Sequence, residues 1–284
     1  MERTGNSYQT LICDVCPHHC CLGEGQTGRC RARKNVRGEL ICDNYGKITS
    51  LMLDPIEKKP LKRFHPGSRI LSIGSYGCNL SCPFCQNHEI SMPESGREPG
   101  YGVASPEEIK DFALKYISEG NIGVAFTYNE PLIGYEFVRD TAKLVHEAGL
   151  KNVVVTNGCV ELRILEEILP YIDAMNIDLK GFTEGYYKMV GGDLETVKGF
   201  IEKAVLGCHV ELTTLIVPGE NDSEEDMDRE ARWIASLSGD IPLHITRFFP
   251  RYKMKDRMPT EPESIYRLKE IAERHLKYVY TGNI

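Results

Sequence analysis

From residue 70 onward the chain alternates short apolar runs with amphipathic stretches. The runs at 69–74, 122–127, 151–155, 173–178, 209–217 and 242–247 are short and continuously apolar enough to be strands of a buried parallel sheet. Between the first two, Ser105-Pro106-Glu107-Glu108 reads as a capping box with proline in the first helical turn. Ile109, Phe112, Ala113, Tyr116 and Ile117 then keep to one helical face, and Gly120 stops it. Further helices are predicted over 137–148, 162–169, 194–205, 223–237 and 263–275, several ending at a glycine or proline. Six strand–helix units predict an α/β fold, a partial (β/α)6 TIM-like barrel. A doubly wound nucleotide-binding sheet would alternate in the same way, but no G-x-G-x-x-G follows any of the strands. Parallel strands place their ligand sites at the carboxyl ends.

Residues 1–66 lack this alternation and read as a separate small lead-in, ending at Pro66-Gly67, with the barrel over 67–284. Residues 40–51 suggest a hairpin turning at Asn44 to Gly46. A length of 284 residues suits one large domain with such an attachment, and 41% hydrophobic with 26% charged residues is ordinary for a globular chain. The net charge of −7 gives no general footprint for nucleic acid, although residues 57–63 form a local basic run. No apolar segment has the length to cross a membrane, and Met1-Glu2-Arg3-Thr4 lacks a signal peptide's apolar stretch, so a cytoplasmic location is expected.

Cysteine changes the picture. Of eleven cysteines, seven fall in two groups, which in a chain of this kind points to metal or redox chemistry rather than to disulfides. Cys78, Cys82 and Cys85 stand at C-x3-C-x2-C directly after the first strand. A cubane iron–sulfur cluster is normally held by four thiolates, so three on one short loop leave one iron open to another ligand. A zinc knuckle completed by His88 is the other reading of the same loop. The second group, Cys13, Cys16, Cys20 and Cys30, has the four thiols for a structural zinc or a closed second iron–sulfur cluster.

Each chemically unusual cluster falls just after a strand, as the barrel requires. Tyr128-Asn129-Glu130-Pro131 follows the second strand, Asn157-Gly158 the third, Asp178 and Lys180 the fourth, and Arg247 ends the sixth. Glu130 is suited to a cationic amino group through a charge-assisted hydrogen bond. The bland readings are a helix cap for Asn157 and surface pairing for Asp178 with Lys180. On the fifth strand His209, Glu211 and Thr213 share a face by the period of two, and because burying a carboxylate without a partner is costly, an inward Glu211 would suggest a substrate or cofactor contact. His244 and Arg247 stand on the sixth, where an arginine would suit an anion.

C-x3-C-x2-C at the end of a first strand, with Phe84 before its last cysteine, resembles the radical S-adenosylmethionine (SAM) enzymes. The resemblance implies a 4Fe–4S cluster on Cys78, Cys82 and Cys85 whose open iron chelates the methionine part of SAM. Reductive cleavage then yields a 5′-deoxyadenosyl radical, with an electron donor such as flavodoxin or ferredoxin. Tyr128-Asn129-Glu130-Pro131 looks like the family's Gly-Gly-Glu-type motif, which receives the methionine amino group. Asn157 matches a Thr-Asn-Gly segment of the glycyl-radical-enzyme activases, and Asp178 and Lys180 match their Asp-x-Lys motif. Those activases often carry an aspartate before the former segment, where this chain has Val155.

Several longer phrases carry the likeness over nearly the whole chain. They include Cys-Pro-His-His-Cys with Cys30, Asp54-Pro55-Ile56-Glu57-Lys58-Lys59-Pro60-Leu61, residues 213–222 and residues 244–252. Together they resemble the AmmeMemoRadiSam-system radical SAM proteins, a group close to the pyruvate formate-lyase activating enzymes. Such proteins often continue into a tail bearing a Cys-Pro-x-Cys pair, which this sequence does not contain. The likeness to activating enzymes implies a protein substrate, docked with help from residues 58–63. The alternative reading is a non-catalytic metal-binding adaptor, with structural zinc at both cysteine groups.

Overall fold

The computed structural model describes residues 9–94 and 99–284; Met1 to Thr4, read above for a signal peptide, lie outside them. In the lead-in, β1 (Leu11–Ile12) pairs antiparallel with β2 (Cys21–Leu22), and β3 (Arg33–Val36) with β4 (Glu39–Cys42). The second pair turns at Arg37 and Gly38, both at positive φ. The hairpin expected over residues 40–51 is therefore corrected. A turn does form there, with Lys47 N–H donating to Asn44 O at 3.1 Å, but its two flanks go to different partners. β5 (Lys47–Ile48) and β6 (Ser50–Pro55) follow it, and β6 pairs antiparallel with β7 (Arg69–Gly74). β7 is buried over residues 70–74 and its edge groups need hydrogen bonds, which β6 supplies. β5 pairs instead with β8 (Gly102–Val103).

The main sheet continues from β7 through β9 (Asn121–Phe126), β10 (Lys151–Thr156), β11 (Ala174–Asp178), β12 (His209–Ile216), β13 (Leu243–Arg247) and β14 (Val279–Gly282). Its eight strands run in the order β6-β7-β9-β10-β11-β12-β13-β14, all parallel except β6. β6 and β14 are its two edges, so the barrel is partial and open, as the alternation of elements predicts. The six predicted strands are β7 and β9 to β13, each within a residue of its expected ends. Both edges were missed. Leu51 and Met52 of β6 are exposed, so that strand has no buried apolar signal. Because β6 belongs to the main sheet, the expected boundary at 66–67 falls between two paired strands.

The helices are α1 (His88–Ser91), α2 (Pro106–Lys115), α3 (Tyr135–Glu147), α4 (Leu162–Ile168), α5 (Glu184–Val190), α6 (Leu194–Ala204), α7 (Glu224–Leu237) and α8 (Pro262–Ala272). Ser105 and Glu108 form the expected capping box at α2. α1 and α5 were not predicted; α1, at four residues, is too short to show a helical period. α3 buries Phe137, Val138, Ala142 and Val145 in a core shared with Val154 of β10 and Ile177 of β11. The phenylalanine and valine side chains among these contribute roughly 1.5–3 kcal/mol each by leaving water, and the Ala142 methyl less. With parallel strands packed this way, Gly74, Phe126, Thr156, Asp178 and Arg247 all end at one rim.

Candidate active site

The Cys78–Cys85 loop leaves β7 at that rim and is held by three distant parts of the chain. Cys78 N–H donates to Cys30 O at 3.1 Å, Ser81 N–H to Val190 O at 2.8 Å, and Lys253 N–H to Pro83 O at 2.9 Å. Gly77 is required just before it: φ is +90°, and a Cβ there would lie 2.5 Å from Cys30 O. Phe84 is buried between the rings of Tyr186 and Phe248, each 6.5 Å away.

Beneath the loop lies a cavity of about 490 Å³, within the ordinary size for a cofactor-sized ligand. Cys78, Cys82 and Cys85 line it together with Tyr128, Asn129, Glu130, Asn157, Asp178 and Lys180. Six of the nine residues expected around a cofactor therefore meet at one place. Asn157 does not cap a helix. Its Nδ2 donates to Asn79 Oδ1 at 3.0 Å and approaches Cys78 Sγ at 3.6 Å, tying the third strand's end to the cysteine loop. Asn129 spends its side chain on the backbone, accepting from Ser75 N–H and donating to Tyr76 O and Gly77 O. It shapes the loop's approach.

Glu130 is 2% exposed. It accepts hydrogen bonds from Thr156 Oγ1 and Asn157 N–H, both at 2.7 Å, and from Leu132 N–H at 3.0 Å. Burial nevertheless dominates and pushes its pKa up to about 7. It has neutral donors and a cavity beside it, and no ion pair with a cation among the described residues. Lys180 and Asp178 form an ion pair at 2.6 Å. Burial alone would pull Lys180 down, yet the charge of Asp178 and the nearby Cys82 hold it above its ordinary value.

Three expected cofactor residues, Glu211, His244 and Arg247, stand apart from the cavity wall. Glu211 does point inward, fully buried, but near the amino end of β12. Its carboxylate accepts from Arg63 N–H at 2.7 Å and Lys62 N–H at 3.0 Å, with His244 Nε2 at 2.6 Å and His209 Nε2 at 3.0 Å. Burial would raise its pKa, but these partners hold it down at about 2. The partner that a buried Glu211 needs is thus supplied by the chain itself. Arg247 donates to Thr260 O and lies 4.8 Å from the Phe249 ring.

Other wall residues had no reading of their own in the sequence. Lys59, 2% exposed, donates to Asp54 Oδ2 at 2.9 Å and lies 4.6 Å from the Tyr128 ring. The Tyr128 hydroxyl donates to the same carboxylate at 2.6 Å. Although burial opposes it, these bonds hold Asp54 below the usual carboxylate range. Tyr128 sits at φ +73°, a left-handed conformation costly for a tyrosine, and Asn87 Nδ2 fixes its carbonyl at 2.7 Å. The repeated lysines beside Asp54 in 54–61 were the available signal.

All eleven cysteines are free. Burial raises the thiols of Cys78, Cys82 and Cys85, Cys82 to about 11. Bound metal deprotonates such thiols, and a few donors stand ready for their sulfurs. Cys78 Sγ accepts from Leu80 N–H at 3.4 Å, and Cys85 from Asn87 N–H and the Ser91 hydroxyl. The residues present therefore fit a three-thiolate iron–sulfur cluster. Cys13, Cys16 and Cys30 are buried and Cys20 half-buried. Among the described residues no three His, Cys, Asp or Glu side chains are placed to hold a single metal ion. No helix among them is long and apolar enough to cross a membrane.

Comparison with known proteins agrees with this geometry. Residues 72–231 match the radical SAM superfamily. An uncharacterized protein of Methanocaldococcus jannaschii is 42% identical over 275 residues, 96% of this chain and 81% of that one. The pyruvate formate-lyase-activating enzyme of Clostridium pasteurianum is 30% identical over 179 residues, 61% of this chain and 71% of its own. Among solved structures, QueE from Escherichia coli superposes with a TM-score of 0.52 at 14% identity, over 83% of this chain and 92% of that one. The last likeness concerns the fold alone.

Proposed function

This chain belongs to the radical SAM superfamily, and from that premise we propose that it binds SAM in the cavity beneath Cys78, Cys82 and Cys85 and abstracts hydrogen from a residue of a partner protein. It is an enzyme, and the adaptor reading falls with that membership. The convergence of the three cysteines with Glu130, Asn157, Asp178 and Lys180 on one cavity carries the proposal. Cys78, Cys82 and Cys85 would hold a 4Fe–4S cluster there, which would supply the electron for reductive cleavage of SAM.

The chain's own residues do the rest. Glu130, lacking a cationic partner, takes the methionine amino group, and that charge brings its carboxylate into the ionised state. Asn157 holds Cys78 and its loop in place. Lys180, fixed by Asp178, sets positive charge beside Cys82 and opposes the accumulation of negative charge at the thiolates. Apolar walls at Leu80, Val155 and Leu215 limit water. The likeness to an activating enzyme supports a protein substrate, with a glycyl residue as the hydrogen donor and flavodoxin or ferredoxin as the electron source.

Anaerobic reconstitution with iron and sulfide, reduction, and assay of 5′-deoxyadenosine from SAM tests the core of this reading. Product should form with the intact chain and fall at least a hundredfold in Cys82→Ala. Equal product from both, or none from either with zinc retained at the loop, would overturn it.

A further inference from the structure

The catalytic reading leaves Cys13, Cys16, Cys20 and Cys30 unused. We propose that these four thiolates hold a second iron–sulfur cluster, closed on all sides by cysteine and docked against the loop of the first. The β1–β2 pair brings three of them together, with Cys13 N–H donating to Cys20 O at 2.9 Å. The following segment folds back to deliver Cys30, closed by Gly25 N–H to Asn35 O at 2.8 Å and Gly28 N–H to Arg33 O at 2.7 Å. Cys16 interacts electrostatically with Cys13 and Cys30, and Cys30 with Cys13 and Cys20, so the four side chains surround one region.

Their sulfurs already receive N–H donors, as metal-bound thiolates do. Arg29 N–H donates to Cys20 Sγ at 3.5 Å, and although burial raises the thiols of Cys16 and Cys30, the backbone at His18 and at Ala32 and Arg33 acts to lower them. No disulfide consumes them. An all-thiolate set selects zinc, cuprous copper or iron–sulfur clusters. Zinc needs four ligands converging on one point, and the described side chains are not so placed. The catalytic triad shares that property, and a cubane suits both groups because its thiolates bind different irons and stay apart.

The position gives the site its meaning. Cys30 O accepts from Cys78 N–H at 3.1 Å, and His18 Nε2 lies 2.9 Å from Asn79 O. The second cluster is therefore one hydrogen bond from the backbone that carries the first.

The full-length Cys78→Ala/Cys82→Ala/Cys85→Ala variant, reconstituted anaerobically with iron and sulfide, tests this. It should keep about four iron and four sulfide per chain, half of the wild type's content, and give an EPR signal after dithionite reduction. Adding Cys16→Ser and Cys30→Ser should abolish both. Total iron of only about four in the wild type, none in the triple variant, or one tightly held zinc there would overturn the proposal. The wild-type count and Mössbauer spectrum keep the test decisive if a variant fails to fold. Failure of the proposed function reads differently, as absence of 5′-deoxyadenosine from a protein that still carries this iron.

Discussion

Glu130 and Glu211 are both buried carboxylates of the same barrel, yet they stand at opposite ends of it and in opposite states. Glu130, past the carboxyl end of β9, is pushed up to about 7; Glu211, near the amino end of β12, is held at about 2. Burial acts the same way on both. The difference lies in the partners, since Glu211 has two histidines and two backbone N–H groups, while Glu130 has two backbone N–H groups and a hydroxyl. A carboxylate whose donors are complete belongs to the fold. One that pairs with no cation among the described residues and faces a cavity is left open to a ligand.

Breaking Glu211 should have the largest effect on stability. Glu211→Ala strands two histidines and the amides of Lys62 and Arg63, and should cost about 3 kcal/mol or more in urea unfolding. Since its folded pKa is depressed, the contribution of the wild-type carboxylate is present above about pH 4.5 and is lost as pH falls through about 2. Glu130→Gln should cost less in unfolding, about 1–2 kcal/mol, because its amide NH2 must face a donor from which the carboxylate accepts, and should weaken SAM binding by roughly 10- to 100-fold in calorimetry of the reconstituted protein. Wild-type affinity should decline as pH drops below about 7, where Glu130 of the free protein takes a proton, and the Gln variant should lose that dependence. Identical pH profiles would remove Glu130 from the cofactor site. The smallest effect is expected at Arg247, which lies off the cavity. Arg247→Ala should change SAM affinity by less than about twofold.

The cysteine loop and the glutamate after β9 were legible because their information is local: spacing along one loop, and position after an apolar strand. The six inner strands were legible because a strand covered on both faces is apolar throughout. The edges were not, since β6 shows solvent Leu51 and Met52 and finds its partner across a turn that suggested a different hairpin. Glu211 marks a different limit. The period of two turned it inward correctly, but a period carries no information about height along the barrel axis, which separates His244 and Glu211 from Thr213 and Thr246 at the wall. Lys59 has a sequence signal in Asp54 five residues before it, but its place in the wall depends also on Tyr128, which is remote in sequence.

The stretch 58–60 is clamped at both ends, by Lys59 on Asp54 before it and by Glu211 on the amides of residues 62 and 63 after it. Asn176 adds a prop under its middle, donating to Pro60 O at 2.9 Å. In mechanical terms it is a beam held at two supports, along one wall of the chamber. The rim of the cavity and the base of the barrel are thereby tied through one short segment, so that a carboxylate outside the cavity bears on the wall that bounds it.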